Sequence, residues 1–256
     1  MEKVYGGKRN HDYPLNSKII SLIIVTRNAD RDLQNCLDSI TMQDYKNLEV
    51  LVFDGASTDG TLDIIRRNES CISYWQSEPD NGIYDAMNKA VKYATGNWIF
   101  FLGSDDKLLD GFSEMINKLK KEYCIYYGDY ISNGKRFGGK FYSYRLAKAN
   151  FCQQSVFYSK KVFEKYSFNE SYPISADYLL NLECWADKKF NFEYHNIAIA
   201  DFSSFGISSM QIDIALEVDR ATFIKKYLGF GIYQRYRLRL LKNALMKLVN
   251  PYKKRD

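Results

Sequence analysis

The sequence predicts an α/β fold, in which a mostly parallel sheet has helices on both of its faces. Two observations support this prediction. β-branched apolar runs alternate with amphipathic helical stretches, and polar residues follow each run at the point where a strand would end. The 256 residues, 46% of them apolar and 26% charged, suffice for one large α/β domain and exclude wholesale disorder.

The elements of the first half follow one another in the order that produces a parallel sheet. Residues 19–25 are a β-branched apolar run, which is typical of a strand buried on both faces. The next stretch is helical because Leu33, Leu37 and Ile40 recur on one face. The same patterns predict strands at 48–53, 72–75 and 98–102, and helices at about 31–43, 61–67 and 83–94.

The second half is more mixed and ends in helices. Its apolar patterns predict strands at 123–131, 136–142 and 192–200, and a helix at 176–188. From Asp213 onward the pattern is helical, and the stretch from Gly231 to Asp256 is basic and amphipathic. We therefore expect an N-terminal extension, a core and a basic helical tail, over residues 1–17, 18–210 and 211–256.

Polar residues follow four successive strands of the predicted sheet. In parallel α/β sheets, ligands bind outside the carboxyl ends of the strands, so these residues are expected to share one rim. This rim is the candidate active site. Its segments are 26–28 (TRN), 54–60 (DGASTDG), 77–80 (SEPD) and 103–106 (GSDD).

The pair Asp105–Asp106 is the candidate metal site of this rim. Two adjacent carboxylates repel each other, and Mg²⁺ or Mn²⁺ offsets that cost while it also binds diphosphate oxygens. The alternative is a loop or a helix N-cap, where Asp is common. The other polar residues on the rim favour the metal.

Asp54 ends the second predicted strand and is a candidate nucleotide-binding residue. Its carboxylate can accept a hydrogen bond from the N–H edge of a nucleobase, while Ser57 and Asp59 cap the following helix. The alternative is that the whole segment is only a turn and a cap.

The segment after the third strand carries three acidic residues, Glu78, Asp80 and Asp85, around the start of a helix. A helix N-terminus attracts anions, but these carboxylates would repel a diphosphate unless a cation or acceptor hydroxyls bind there. A capping role accounts for one acid and not for three.

Asp177 precedes an apolar helical stretch in the second half. It is either a helix N-cap or, if it faces the rim, a general base for a hydroxyl nucleophile. The sequence leaves both interpretations open.

Cysteine, histidine and hydropathy patterns exclude several classes of protein. The five cysteines form no CxxC pair, which argues against a disulfide framework or zinc knuckle and fits a reducing cytoplasm. Two histidines are too few for a His-rich metal site. We expect no signal peptide in residues 1–17, and no apolar run approaches the roughly 20 residues of a membrane span.

Aromatic residues are unusually frequent, at 16% of the chain with 21 tyrosines. Tyrosine combines a flat apolar face with a polar tip. This suits planar or sugar-like ligands as well as cores, and composition does not choose between them.

Charge is distributed unevenly along the chain. The last 37 residues hold 11 Lys and Arg against one acidic residue, whereas the whole chain has a net charge of +5. The basic tail therefore predicts an anionic partner, either membrane lipid or nucleic acid. The acidic rim argues against nucleic acid, so we expect the tail to lie on a membrane surface.

Four motifs together resemble the inverting glycosyltransferases of family 2, which have the Rossmann-like GT-A fold. They occur in the family's order and spacing across residues 18–112, and the match extends weakly to about residue 210. The run from Ser77 to Lys89 is most similar to bacterial surface-polysaccharide transferases of the colanic acid and O-antigen type. The motifs are 23–28 (IIVTRN), 54–61 (DGASTDGT), 77–89 (SEPDNGIYDAMNK) and 101–106 (FLGSDD).

The resemblance implies a role for each matching residue. Asp106 would be the most direct metal ligand, with Asp105 near the ribose or the metal, and Asp177 would be the catalytic base. Residues 18–112 would be the nucleotide-sugar half and 113–210 the acceptor half of the core. The donor-binding residues would be Thr26, Arg27, Asn28, Asp54, Ser57, Glu78, Asp80 and Asn88.

Two positions differ from the family pattern. Ser104 stands where the first Asp of the metal-binding DxD motif is expected, which places the metal on Asp105 and Asp106. Gln153–Gln154 stands where relatives often have His–Gln, so an amide replaces the imidazole.

The resemblance thus implies a metal-dependent, inverting transferase that uses a nucleotide-sugar donor, most simply a UDP-sugar, and a lipid-linked oligosaccharide acceptor. It would work in the cytoplasm, peripherally on the inner face of the membrane. The alternatives are a sugar nucleotidyltransferase and a non-catalytic nucleotide-sugar binding module. The first would need a glycine-rich loop after the first strand, which residues 26–30 lack.

Overall fold

The computed structural model of the chain describes residues 3–8, 18–203 and 211–249. Ten strands of the described residues form one sheet. They are β1 (Val4–Gly6), β2 (Ile20–Thr26), β3 (Leu48–Asp54), β4 (Tyr74–Ser77), β5 (Trp98–Gly103), β6 (Lys107–Leu108), β7 (Cys124–Ser132), β8 (Lys135–Phe137), β9 (Val156–Ser159) and β10 (Asn191–Asp201).

Helices cover both faces of this sheet and form the C-terminal part of the chain. They are α1 (Leu33–Thr41), α2 (Thr61–Arg67), α3 (Ile83–Val91), α4 (Gly111–Ile116), α5 (Ser143–Leu146), α6 (Lys160–Phe163), α7 (Ala176–Ala186), α8 (Ile214–Phe223) and α9 (Phe230–Val249). A 3₁₀ turn lies at Gln153–Ser155, and a π-helical segment at Ile224–Leu228 joins α8 to α9.

The strand order is β1-β4-β3-β2-β5-β9-β7-β10-β6, with β8 paired to β7. Strands β4, β3, β2 and β5 are mutually parallel neighbours, and β7 is parallel to β10. Because β9 is antiparallel to both β5 and β7, the pair β7–β10 runs in the same direction as the first four strands. The prediction of a mostly parallel sheet with flanking helices is confirmed.

The central strands are buried on both faces because each face has its own apolar layer. Alternate residues of β2 enter different clusters: Ile23 lies in the layer with α3 and α7, whereas Leu22 and Ile24 lie in the layer with α1 and α4. Continuous apolar runs in the sequence are the signature of such strands.

The structure differs from the predicted elements at β9, a central strand that was not predicted, and at the sheet edges. The strand predicted at 136–142 ends at Phe137, because Gly138 and Gly139 have φ of 135° and 91° and the Gly139 N–H turns to donate to Asp129. Part of the expected N-terminal extension is β1, which pairs antiparallel with β4. Residues 9–17, 204–210 and 250–256 lie outside the described residues, so the predictions for them are not addressed.

Helices α8 and α9 pack on the core through a few buried residues. Ile224, in the π-helical segment between them, and Tyr236 on α9 are buried in one cluster with Ala147, the residue after α5. The Asp213 carboxylate caps α8 by accepting from the Leu216 amide at 3.1 Å. In the described parts of the chain, no helix combines the length and the apolar character that a membrane crossing requires.

Candidate active site

The carboxyl ends of the four parallel strands meet at one edge of the sheet, as the sequence predicts. Thr26 lies opposite Asp54, and Asp54 lies opposite Ser77. On the other side of β2, Val25 lies opposite Gly103, so the acidic pair after β5 begins at the same level. The four polar segments therefore share one rim.

Asp54 is held firmly within this rim. Its carboxylate, 3% exposed, accepts from the Ser57 amide at 2.9 Å, from the Ser77 hydroxyl at 2.6 Å and from the Ser57 hydroxyl. A carboxylate has about four acceptor positions, so about one remains for a ligand. The role of Asp54 in binding a nucleobase stays a prediction.

Ser57 does not cap the following helix, which corrects one expectation. Its hydroxyl donates to Asp54 and accepts from the Asn28 amide at 2.7 Å, and so joins the loops after β2 and β3. The first-turn amide of α2, at Thr61, is instead bound by Asp59 at 3.0 Å, so this part of the capping interpretation holds.

The loop after β2 places three predicted donor residues beside these bonds. Asn28 has φ of 52° and accepts from the Thr58 amide at 2.9 Å, while Arg27 is exposed. The Thr26 hydroxyl is buried and has no hydrogen-bond partner among the described residues. A buried hydroxyl without a partner is costly, which makes Thr26 a candidate to bind a ligand.

Gly55 allows Arg27 and Asp80 to approach each other over the rim. A Cβ at this glycine would collide with the Asp80 carboxylate and touch the Arg27 side chain. Two predicted donor residues, from the loops after β2 and β4, are therefore brought together above β3.

Two of the three acids after β4, Glu78 and Asp85, are paired with lysine. Lys89 lies 3.0 Å from Asp85 and 3.5 Å from Glu78, and Lys3 lies 3.9 Å from Glu78. Burial opposes ionisation of Asp85, but the Asn81 amide and Lys89 outweigh it and lower its pKa. For Glu78 and Asp85 the cation is thus a lysine side chain, and the spacing of four residues from Asp85 to Lys89 on a helix is the signal for it. Asp80 instead accepts from the Gly82 amide at 3.0 Å.

Asn88 lies away from the rim contacts described so far. Its side chain donates to the Phe168 carbonyl and to Glu170, both at 2.9 Å, and accepts from the Phe168 amide at 3.0 Å. These bonds fix the segment after α6 against α3. A donor-binding role for Asn88 stays a prediction.

The candidate metal residues follow β5 directly. Asp106 is 1% exposed and accepts from the Ser203 amide at 2.7 Å and from the Gly103 amide at 3.2 Å. Burial raises its pKa to about 7, and the charge of Asp105 adds to the shift, although both amides oppose it. Gly103 is required here, since a Cβ would collide with both carboxylates.

A carboxyl pair of this kind suits a hard divalent cation. A raised pKa on one of two adjacent carboxyls is the electrostatic cost that a cation would relieve. Mg²⁺ and Mn²⁺ need only one or two protein carboxylates when substrate phosphates supply further oxygens. Asp105 and Asp106 are the residues that could hold such an ion.

A short segment joins Asp106 to the predicted base. The Asn150 amide donates to Asp177 at 2.6 Å, and the Gln154 side chain hydrogen-bonds to Asp106. The Cα atoms of Asn150 and Gln154 are at most about 14 Å apart, which is the span of four peptide steps. Burial, the charge of Asp106 and a smaller contribution of Asp177 raise the pKa of the Cys152 thiol, so this segment is close to both carboxylates.

Asp177 lies in the first turn of α7 and is 9% exposed. Its carboxylate accepts from the Tyr84 hydroxyl at 2.8 Å and from Asn150 at 2.6 Å. Burial raises its pKa to about 6, although both hydrogen bonds oppose the shift. A carboxylate near its pKa at neutral pH can take up a proton from a hydroxyl. The helix N-cap is Ser175 and not Asp177.

Behind Asp177 lies a buried hydrogen-bond network that the sequence analysis missed. The Asn181 side chain donates to the side-chain Oδ1 of Asn150 at 2.9 Å and accepts from the Tyr158 hydroxyl at 3.0 Å. The position of Asn181, four residues after Asp177 and between two leucines, is the signal that could have found it. The side chain of Gln153, where relatives often have His, points towards Met87, with 3.7 Å between Gln153 Nε2 and Met87 Sδ.

Comparison with known proteins identifies the family. Residues 21–200 match the family model described as Glycosyl transferase family 2. The chain is 35% identical over 202 residues to a "PGL/p-HBAD biosynthesis glycosyltransferase" of Mycobacterium tuberculosis, which covers 73% of this chain and 78% of that protein. It is 34% identical over 131 residues to the "UDP-Glc:alpha-D-GlcNAc-diphosphoundecaprenol beta-1,3-glucosyltransferase WfgD" of Escherichia coli, covering 50% and 52%.

Solved glycosyltransferase structures share the fold at low sequence identity. S. aureus TarS 1–349 in complex with UDP-GlcNAc has a TM-score of 0.63 and 17% identity, over 82% of this chain and 67% of that one. The chain spans 43% of the longer TarS structure. The mannosyltransferase PcManGT of Pyrobaculum calidifontis, in complex with GDP-Man and Mn²⁺, has a TM-score of 0.61 and 15% identity, over 97% and 85%.

These findings confirm the predicted family, fold and enzyme class. The relatives do not support the two alternatives, a sugar nucleotidyltransferase and a non-catalytic binding module. The chain is a glycosyltransferase that belongs to family 2 and has the GT-A fold.

Proposed function

We propose that this enzyme transfers a sugar, with inversion, from a nucleotide-sugar donor on the rim to an acceptor hydroxyl that Asp177 deprotonates. The observation that carries the proposal is the segment from Asn150 to Gln154, which is bonded to Asp177 at one end and to Asp106 at the other. A donor diphosphate near Asp106 and an acceptor hydroxyl near Asp177 would then meet within that region.

The donor is proposed to be a UDP-sugar. Thr26, Arg27, Asn28, Asp54 and Ser57 would hold the nucleoside, with Glu78, Asp80 and Asn88 beside the sugar. The name of WfgD contains UDP-Glc, and TarS has been solved with UDP and UDP-GlcNAc. PcManGT has been solved with GDP-Man, so the nucleobase of the donor has to be determined by experiment.

Asp105 and Asp106 are proposed to hold Mn²⁺ or Mg²⁺. When bound, the ion would neutralise charge on the leaving diphosphate. The protein would set the position of the ion through Asp106, because the Gly103 and Ser203 amides hold its carboxylate at the end of β5.

Asp177 would act on the acceptor. Its ionised carboxylate takes the proton of the acceptor hydroxyl, whose oxygen forms a bond to the anomeric carbon. The bond from that carbon to the diphosphate oxygen breaks on the opposite face, and the nucleoside diphosphate leaves. Attack opposite to the leaving group inverts the configuration of the anomeric carbon.

The acceptor is proposed to be a lipid-linked saccharide at the inner face of the cytoplasmic membrane. The name of WfgD specifies a diphosphoundecaprenol-linked acceptor. Exposed apolar residues on α9, Leu238, Leu241 and Leu245, offer a way to hold the enzyme at a membrane surface. The proposal places the enzyme in surface-polysaccharide synthesis and assigns it no nucleic acid partner.

One titration and one turnover assay test the donor and the base. UDP, GDP, CDP and dTDP are titrated calorimetrically with Mn²⁺, Mg²⁺ or EDTA, and the expected result is UDP binding that EDTA and Asp106→Ala abolish. Asp177→Asn should keep UDP affinity and lower sugar transfer by about 10²–10⁴-fold, the usual contribution of a general base.

Asp63→Ala is the matched control, because its carboxylate is largely exposed on α2. It should leave both measurements unchanged. Binding of no diphosphate to the folded protein, or unchanged transfer by Asp177→Asn, would contradict the proposal.

A further inference from the structure

Three aromatic residues, Tyr130, Phe137 and Phe202, form a cluster on the acceptor half, which we term the aromatic platform. Phe137 on β8 is paired with Tyr130 on β7, and their rings stack with centroids 5.6 Å apart at 23°. The Phe202 ring meets Tyr130 edge-on, with centroids 6.0 Å apart at 83°. The sequence analysis left open whether the frequent aromatic residues serve the core or a ligand, and these three rings belong to that set.

The platform lies at the same edge of the sheet as the acidic rim. Strands β7 and β10 run in the direction of β2 to β5, so their carboxyl ends reach this edge. Tyr130 is near the end of β7, and Phe202 follows β10, where its amide donates to the Ile131 carbonyl at 2.8 Å. The platform therefore continues the rim beyond β5 and β9.

The platform is also close to the two carboxylates that the proposed function uses. Phe202 is followed by Ser203, whose amide donates to Asp106 at 2.7 Å. Tyr130 interacts electrostatically with Cys152, the thiol that interacts with both Asp106 and Asp177. An acceptor whose hydroxyl reaches Asp177 would extend over this surface.

The platform has an open apolar side. Phe137 is 46% exposed, although it stacks on a half-buried tyrosine at a paired position of the hairpin. An exposed aromatic ring next to a catalytic region is a mark of a binding surface, since apolar area gains free energy when a ligand covers it.

The chemistry of the platform selects a sugar ring. A pyranose has an apolar face of C–H groups that fits flat against an aromatic ring, and hydroxyls around its rim that remain in water. The donor side of the edge carries Asp54, Asp80 and Asp106 and suits polar groups. The aromatic side is the complementary surface.

We propose that Tyr130, Phe137 and Phe202 bind a pyranose ring of the acceptor saccharide by stacking. This inference rests on the proposed function, and it gives the acceptor subsite a location. Phe137 is the exposed ring of the set and therefore the one to change.

The test measures saccharide binding without donor. Saturation-transfer NMR gives dissociation constants for methyl glycosides of glucose, N-acetylglucosamine, galactose and rhamnose, and for α-GlcNAc-diphospho-undecyl lipid. We expect at least one of these probes to bind, and Phe137→Ala and Phe137→Leu to weaken it about tenfold. Phe137→Trp should restore binding, because it restores a flat ring.

The variants separate stacking from packing of the hairpin. Leucine keeps apolar bulk, so a purely structural role of Phe137 would be rescued by Phe137→Leu. Tyr5→Ala is the matched control, since Tyr5 is 68% exposed on β1, at the opposite end of the strand order. Unchanged binding in Phe137→Leu, or no binding of any probe by the wild-type protein, would overturn the platform.

UDP affinity in the same samples separates this inference from the proposed function. Weaker saccharide binding with unchanged UDP affinity supports the platform. Saccharide binding that depends on Phe137 in a protein without affinity for any nucleoside diphosphate would support the platform and contradict the donor site.

Discussion

Asp177, the proposed base, is held by groups that are distant in sequence. Tyr84 is 93 residues before it and Asn150 is 27 residues before it, yet both donate to its carboxylate. The resemblance to family 2 pointed to the aspartate itself, but no local pattern connects three separate segments. Its partners become visible only once α3, α7 and the loop before β9 are packed together.

The hydrogen bonds to Asp177 set the pH at which it can act. The carboxylate must be ionised to take a proton, so kcat/KM should fall as the pH drops through about 6. Asn150→Ala removes a donor that stabilises the ionised form and should raise the pKa. The acid limb of the pH profile is then expected to move up by about one unit.

The measurement is kcat/KM for sugar transfer from about pH 4.5 to about pH 9, a range that includes the pKa of Asp177. Asn117→Ala serves as the control, because its amide donates only to a carbonyl one turn earlier, on an exposed helix end. An acid limb that stays in place in Asn150→Ala, with activity merely scaled down, would show that Asn150 supports the fold and not the ionisation of Asp177.

Among the strands, those that are buried on both faces were predicted best from the sequence. Strands β2, β3 and β5 were predicted within a residue or two, because both of their faces are covered and most of their side chains are apolar. Strand β9 has only four residues and runs antiparallel between β5 and β7. A run of four residues is too short to show a hydrophobic period, so β9 was not predicted. Its place in the sheet depends on two strands that are distant in sequence.

The start of α8 holds the two residues before α7, the helix that carries Asp177. The Asp213 carboxylate caps α8 and also accepts from the Ile174 and Ser175 amides, both at 3.0 Å, directly before the helix of Asp177. Asp213→Ala removes a cap and leaves two half-buried amides without their acceptor. We expect a loss of about 3 kcal/mol in the free energy of unfolding.

Urea unfolding followed by circular dichroism measures this loss as a lower midpoint. Asp110→Ala is the matched control, because Asp110 also precedes a helix, α4, but its side chain makes no capping bond. Equal effects of the two substitutions would mean that Asp213 contributes no more than an ordinary exposed helix end.

For the whole molecule, the sequence revealed the charge asymmetry but not which face of α9 would be covered. Tyr236 is buried against the core, whereas Leu238, Leu241 and Leu245 are exposed. At about 100° per residue these leucines form one stripe on the side away from Tyr236. Amphipathic spacing alone treats both faces as apolar, and only packing decides which one meets the protein.

The exposed stripe predicts how the enzyme would bind a membrane if the proposed acceptor is lipid-linked. Arg237 and Lys242 flank the leucines on either side of the helix, an arrangement that places apolar side chains in the acyl boundary and basic groups at the phosphates. Binding should therefore require anionic lipid and weaken with salt. Vesicle flotation with phosphatidylcholine alone or with phosphatidylglycerol, in low and high NaCl, measures both dependences.

The variant Leu241→Glu/Leu245→Glu distinguishes insertion from charge attraction alone. It leaves every basic residue in place, so a purely electrostatic tail would lose little binding, whereas an inserted helix should lose tenfold or more. Met42→Glu is the control, since Met42 is an equally exposed apolar residue at the end of α1. Because the stripe lies opposite the face that packs near Ala147, the double variant should keep UDP affinity and sugar transfer to a soluble acceptor. Loss of both would mean that the leucines support the fold and that the membrane contact lies elsewhere.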